Sequence, residues 1–172
     1  SWLHWDSRLF RRQPRIQIKS DEQIGLMRRA GLVVADALAA VSAAVRPGVT
    51  GMELDAIAED VIRSAGAVPS FLGYHGFPAS ICVSVDNAIV HGIPNDHPLH
   101  DGALVSIDCG AILEGWHGDA AVTVPVGEVG HGAQELSHIT RSAMWHGVAH
   151  ARQAGHLSDI GAAVERTVRG AA

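Results

Sequence analysis

Residues 105–126, VSIDCGAILEGWHGDAAVTVPV, set two carboxylates into otherwise apolar segments. Asp108 ends the run Leu104-Val105-Ser106-Ile107, and Asp119 opens the run from Ala120 to Val126. Both runs are rich in β-branched residues and bounded by glycines, the pattern of buried strands. Aspartate is depleted in strands, and a buried charge is costly unless it is paired or holds a metal. Gly110, Gly115 and Gly118 supply turn material between the runs, so an antiparallel pair is expected to bring the carboxylates side by side. Two adjacent carboxylates repel, and a divalent cation relieves that repulsion. The plainer alternative is two unrelated aspartates at strand ends.

A chain of 172 residues is long enough to bury one core, and a hydrophobic content of 47% suits a globular domain. The net charge of −5 does not point to nucleic acid as the main partner, and no specific nucleic acid is expected. The charge is uneven: Arg8, Arg11, Arg12, Arg15 and Lys19 all precede Ser20. Residues 1–19 are read as a basic N-terminal extension or a cloning remnant. An alternative is a basic arm on an anionic surface such as ribosomal RNA. Residues 20–172 form the second unit. Cys82 and Cys109 form no C-x-x-C pair, which favours a reducing, cytoplasmic compartment. No apolar run reaches the length of a membrane span, and the start shows no signal-peptide core.

Ser20 with Gln23, and Thr50 with Glu53, are capping boxes. The first predicts a helix to about Val45 with Ile24, Met27, Ala30, Val34, Leu38 and Val41 on its apolar side. The second predicts one ending near Gly66, with Leu54, Ile57, Ala58, Val61 and Ile62 inside. Both are expected on one face of a sheet. SFLGYHGFPAS reads as a loop, Ile81–Val85 as a strand, Asp86-Asn87 as a two-residue turn and Ala88–Val90 as the returning strand. His97 and His100 fall in a solvated loop. A helix is expected from about Gly132 to Ala154, with Leu136, Ile139, Ala143, Met144 and Val148 buried and His146 and His150 exposed. Ser158 is expected to cap a last helix with Ile160, Val164 and Val168 apolar. Segregated helices and strands indicate an α+β chain with a mainly antiparallel sheet.

The segments FLGYHGFPASICVSV, VHGIP and VSIDCGAILEGWHGDAAVTV resemble the type I methionine aminopeptidases, from about Ile18 to Val168. The resemblance implies the pita-bread fold of the creatinase and aminopeptidase enzymes. It implies hydrolytic removal of N-terminal methionine from nascent proteins and peptides, with two divalent metal ions (Mn, Fe, Co or Zn) as cofactors. Asp108 matches a bidentate metal ligand, Asp119 the bridging ligand, and His91 a histidine that contacts substrate and stabilises the tetrahedral intermediate. Tyr74, Phe77 and Cys82, with Phe71, fall where the family lines its methionine pocket. His75 and His117 are left as supporting groups. The resemblance also implies a monomer acting on N-terminal methionine peptides, with the ribosome as a further partner and no membrane.

The family pattern continues with a Gly-His-Gly-Ile-Gly histidine and two glutamates that complete the metal site, and these are absent from the 172 residues. Asp86-Asn87 also stands where the family has Asn-Glu. The chain is therefore read as the N-terminal portion of the catalytic domain. The alternatives are a truncated, inactive homologue that binds peptides or a partner, and a homodimer that mimics the pseudo-symmetric whole.

Overall fold

The computed structural model of the chain describes residues 16–153 and 155–171. The basic residues Arg8, Arg11, Arg12 and Arg15 of the expected arm lie outside the described residues, and residues 16–20 carry no regular structure.

Helix α1 (Asp21–Ala44) starts at the expected capping box: Ser20 Oγ accepts the Gln23 N–H, and the Gln23 side chain accepts the Ser20 N–H. Helix α2 (Gly51–Ser64) repeats the device with Thr50 and Glu53, and Gly66 closes it at φ 74°. The buried side of α1 is Ala30, Val33, Val34, Ala37, Leu38 and Val41, while Ile24 and Met27 of the expected stripe are exposed.

Four strands form one antiparallel sheet: β1 (Val68–Pro69), β2 (Ile81–Val85), β3 (Leu104–Leu113) and β4 (Trp116–Pro125). β3 is central, with β4 on one side and β1 and β2 on the other. The β3–β4 turn is only Glu114-Gly115, both at positive φ (51° and 83°), tighter than the Gly110–Gly118 loop expected from the glycines. Arg29 of α1 grips Glu114 through two bonds of 2.9 and 3.1 Å and holds the hairpin tip against the helix.

Val105, Ile107, Cys109 and Ala111 face the core, where α1 and α2 supply Val34, Val41, Leu54 and Ile62. Each such side chain contributes roughly 1.5–3 kcal/mol by leaving water. Gly118 is required where α1 crosses β4: a Cβ there would sit 2.6 Å from the Ala30 backbone.

Three expectations need correction. Ala88–Val90 is not a strand: Ile89 and Val90 are 87% and 63% exposed, and β2 takes β3 as its partner instead. Asp86-Asn87 does form the expected two-residue turn, closed by the Ala88 N–H on the Val85 carbonyl, but no strand returns from it; the Asp86 carboxylate accepts the Leu104 N–H and His100 Nε2–H. In α3 (His131–Ala151), Ala143 and Gly147 are buried, whereas Leu136, Met144 and Val148 are exposed. α3 packs chiefly on α4 (Ser158–Arg169), so only the small residues at their crossing are covered. Ser158 makes no cap; Asp159 Oδ2 accepts the N–H groups of Gly155 and His156 instead. His146 and His150 are exposed, as expected.

Candidate metal centre

The alternation that sends Val105, Ile107 and Cys109 into the core sends Ser106, Asp108 and Gly110 to the opposite face of β3. Asp108 pairs with Ala121 of β4 and Asp119 pairs with Gly110 of β3. The two aspartates therefore share a face as diagonal neighbours, side by side as expected. The long central pairing and short turn set this register.

Asp108 Oδ1 is buried and has no hydrogen-bond partner among the described residues. Such an orphaned acceptor is costly, and a cation removes the cost. Burial, and after it the negative charge of Asp119, pushes the Asp108 carboxyl above the ordinary aspartate range. His91 acts in the opposite direction, so its imidazole lies within electrostatic reach of Asp108. The donor chemistry, two carboxylates with one unsatisfied buried oxygen, fits a hard or borderline divalent ion. Among the described residues no group of three or more His, Cys, Asp and Glu side chains converges on one point. His117, two residues before Asp119 on the same face, instead approaches Ser70 Oγ through Nδ1 at 3.4 Å.

The remaining site candidates divide. Cys82 lies on β2 directly opposite Asp108, on the aspartates' face. Burial first, then the charges of Asp108 and Asp119, push its thiol up to about 11. Phe71 lies over Gly110, where a Cβ would come 2.8 Å from its ring, and so stands next to Asp119 across the β3–β4 pair. Phe77 is half-buried and accepts the Gly73 N–H through its carbonyl, closing the 70–80 loop. Tyr74 projects to solvent, 68% exposed, with its ring edge-on to His75. The structure brings Phe71 and Cys82 to the dyad.

His91 is exposed and left-handed at φ 59°, a conformation rare for a residue with a side chain. The next residue, Gly92, lies so close to β2 that a Cβ would fall 2.1 Å from the Val83 carbonyl oxygen. A cavity of about 250 Å³ lies beside this segment, lined by Val83, Val85, Ile93, Pro94 and Leu99.

Sequence reasoning missed the groups that fix β2. Asp55 Oδ1 on α2 accepts the N–H groups of Ser80 and Ile81 at 2.8 and 2.9 Å, and Ser80 Oγ donates to Glu59. Burial holds Asp55 above its ordinary pKa despite these bonds. Asp55 and Glu59 are four apart on α2 and read as an ordinary polar stripe, so only the tertiary contact reveals them. Ser84 was legible in principle, because it alternates with Cys82 in ICVSV.

A model of metallopeptidase family M24 matches residues 25–172. A methionine aminopeptidase 1 of Mycobacterium tuberculosis is 49% identical over 154 residues, covering 89% of this chain and 58% of that protein. The crystal structure of methionine aminopeptidase from Rickettsia prowazekii superposes with a TM-score of 0.83 at 34% identity, covering 90% of this chain and 62% of that one. A Bacillus anthracis Xaa-Pro dipeptidase superposes at 0.67 and 27% identity, over 76% of this chain and 36% of its own. The fold is thus the α+β pita-bread arrangement, and the chain spans about three-fifths of the length of the methionine aminopeptidases it matches. With the match running through both aspartates and His91, the chain belongs to metallopeptidase family M24.

Proposed function

We propose that this protein performs the metal-dependent removal of N-terminal methionine from nascent proteins and peptides. Membership of a metallopeptidase family implies a divalent metal cofactor. The observation that carries the reading is the buried Asp108 Oδ1 beside Asp119, without a hydrogen-bond partner among the described residues, in a chain similar to methionine aminopeptidases.

Asp108 and Asp119 would hold two divalent ions, of Mn, Fe, Co or Zn. Bound there, the ions would supply Lewis acidity and a water acidified toward neutral pH. The further donors come from outside the described residues. Burial and the charge of Asp119 raise Asp108, and a bound cation would act in the opposite sense. His91 donates a hydrogen bond to the scissile carbonyl oxygen and stabilises the charge that develops there. Its backbone is left-handed at φ 59°, and it lies within electrostatic reach of Asp108. Cys82, raised to about 11, stays a neutral thiol and presents an apolar, polarisable wall. Phe71, Phe77 and Tyr74 complete a pocket suited to an unbranched thioether. The setting is cytoplasmic, with the basic segment before Ser20 as the contact to the ribosome; among the described residues no helix is long and apolar enough to cross a membrane. The protein acts as a monomer, or as a homodimer if a second copy supplies the further donors.

The test is release of free methionine from a Met-Ala-Ser peptide with added Mn²⁺ or Co²⁺, beside Asp119→Asn. Metal-dependent release that the substitution abolishes supports the reading. Release no greater than that of the variant overturns it, and leaves a binding module.

A further inference from the structure

We infer that Ser84 is a positioning residue for His91, an inference that rests on the role of His91 proposed above. Ser84 is a buried polar side chain, 4% exposed, on the same face of β2 as Cys82. Its Oγ accepts the Gly92 N–H at 3.0 Å. On the other side of that residue, the Gly92 carbonyl accepts the Val83 N–H at 2.9 Å. Gly92 is thus held at two points against one strand, at a separation no side chain would tolerate.

The Gly92 N–H belongs to the same rigid peptide plane as the His91 carbonyl, so the bond from Ser84 fixes the plane that leaves His91. That matters because nothing else does. Ile89, Val90 and His91 make no backbone hydrogen bond among the described residues, and Ile89 and Val90 are largely in solvent. Upstream, the nearest hold is the Ala88 N–H on the Val85 carbonyl; downstream, it is the Asn95 carbonyl receiving the Met52 N–H. A histidine at φ 59° relaxes to commoner backbone angles unless its surroundings hold it. The Ser84 hydroxyl and the Val83 amide are those surroundings. Ser84 is a positioning residue: it acts through the direction in which His91 points.

Ser84→Ala removes the acceptor with little change in volume, and Ser84→Thr restores it. In the metal-free protein, Ser84→Ala should speed hydrogen exchange at the Gly92 amide by about tenfold or more, leaving Ile107 and Cys109 unchanged. The His91 Cα chemical shift should move away from its left-handed value. In the metal-loaded protein kcat should fall about tenfold with KM within about twofold, because a small misplacement of a catalytic group costs rate more than binding. Ser84→Thr should return all three. Unchanged exchange and shift in Ser84→Ala overturn the inference. So does acceleration at Ile107 and Cys109 alongside Gly92, which would make Ser84 a general packing residue, and so does a fall in kcat that Ser84→Thr fails to reverse. If the wild-type chain releases no methionine, the aminopeptidase reading fails on its own, and exchange at Gly92 with the His91 shift still decides whether Ser84 holds the histidine.

Discussion

The two faces of β3 are made from alternate residues of one ten-residue segment, and they obey different rules. One face carries Val105, Ile107, Cys109 and Ala111, all fully buried under α1 and α2. The other carries Ser106, Asp108 and Gly110, with Asp119 across the pair, and it keeps a buried oxygen without a partner. The first face stabilises the fold. The second does not, since an orphaned carboxylate oxygen and a neighbouring like charge both weaken the metal-free state. A site can be destabilising where it stands because the strand's other face, one residue away, supplies the excess.

The sharpest way to break this comparison is to exchange the effects. Ile107→Ala should lower the unfolding free energy by about 2–5 kcal/mol, the range for large-to-small changes in a packed core. Chemical denaturation measures it; a loss under about 1 kcal/mol would show that the helical face is not the main support. Gly118→Ala should cost roughly 1–3 kcal/mol, because its methyl meets the Ala30 backbone and not a movable side chain. Thermal unfolding checks this, and wild-type stability in that variant would mean that α1 and β4 separate freely.

The smallest effect should carry the opposite sign. Asp119→Asn removes the charge that raises Asp108 and should raise the metal-free midpoint by about 1–2 °C, discounted because Asp119 is exposed. Its pH dependence follows from the direction of the shift. An aspartate whose folded pKa is raised contributes stability that is complete below its unfolded value near 3.9 and is lost as pH rises through the folded value. Metal-free wild type should therefore lose this contribution on going from acid towards neutral pH, and Asp119→Asn should lose less of it. A variant with the steeper loss would place the source of strain elsewhere.

How much of this was legible in the sequence follows the same division. The capping boxes at Ser20 and Thr50 and the strands around Asp108 and Asp119 are local signals, and the structure follows them. The failures are where a segment's partner decides. Ala88–Val90 has the composition of a strand, but Gly92 occupies the free edge of β2 next to it and the segment stays in solvent. The apolar positions of α3 follow helical spacing, yet α4 covers only Ala143 and Gly147, so Leu136 and Met144 remain exposed. Within the site, residue identity pointed to Asp108 and Asp119, and the family resemblance added Cys82. It did not give the diagonal register of the carboxylates, the left-handed backbone of His91, or the ties from Asp55 and Ser84 that hold β2 in place. Register depends on where the turn falls, and here two residues, Glu114 and Gly115, do what nine were expected to do.

The most direct measurement is a calorimetric titration of the metal-free protein with Mn²⁺ near neutral pH, beside Asp108→Asn and Asp119→Asn. Saturable binding is expected, with an affinity at least about a hundredfold weaker in either variant, because each removes a charged ligand oxygen. Binding that both variants retain, or no binding by the wild type, would contradict the claim that this face of β3 is a metal centre.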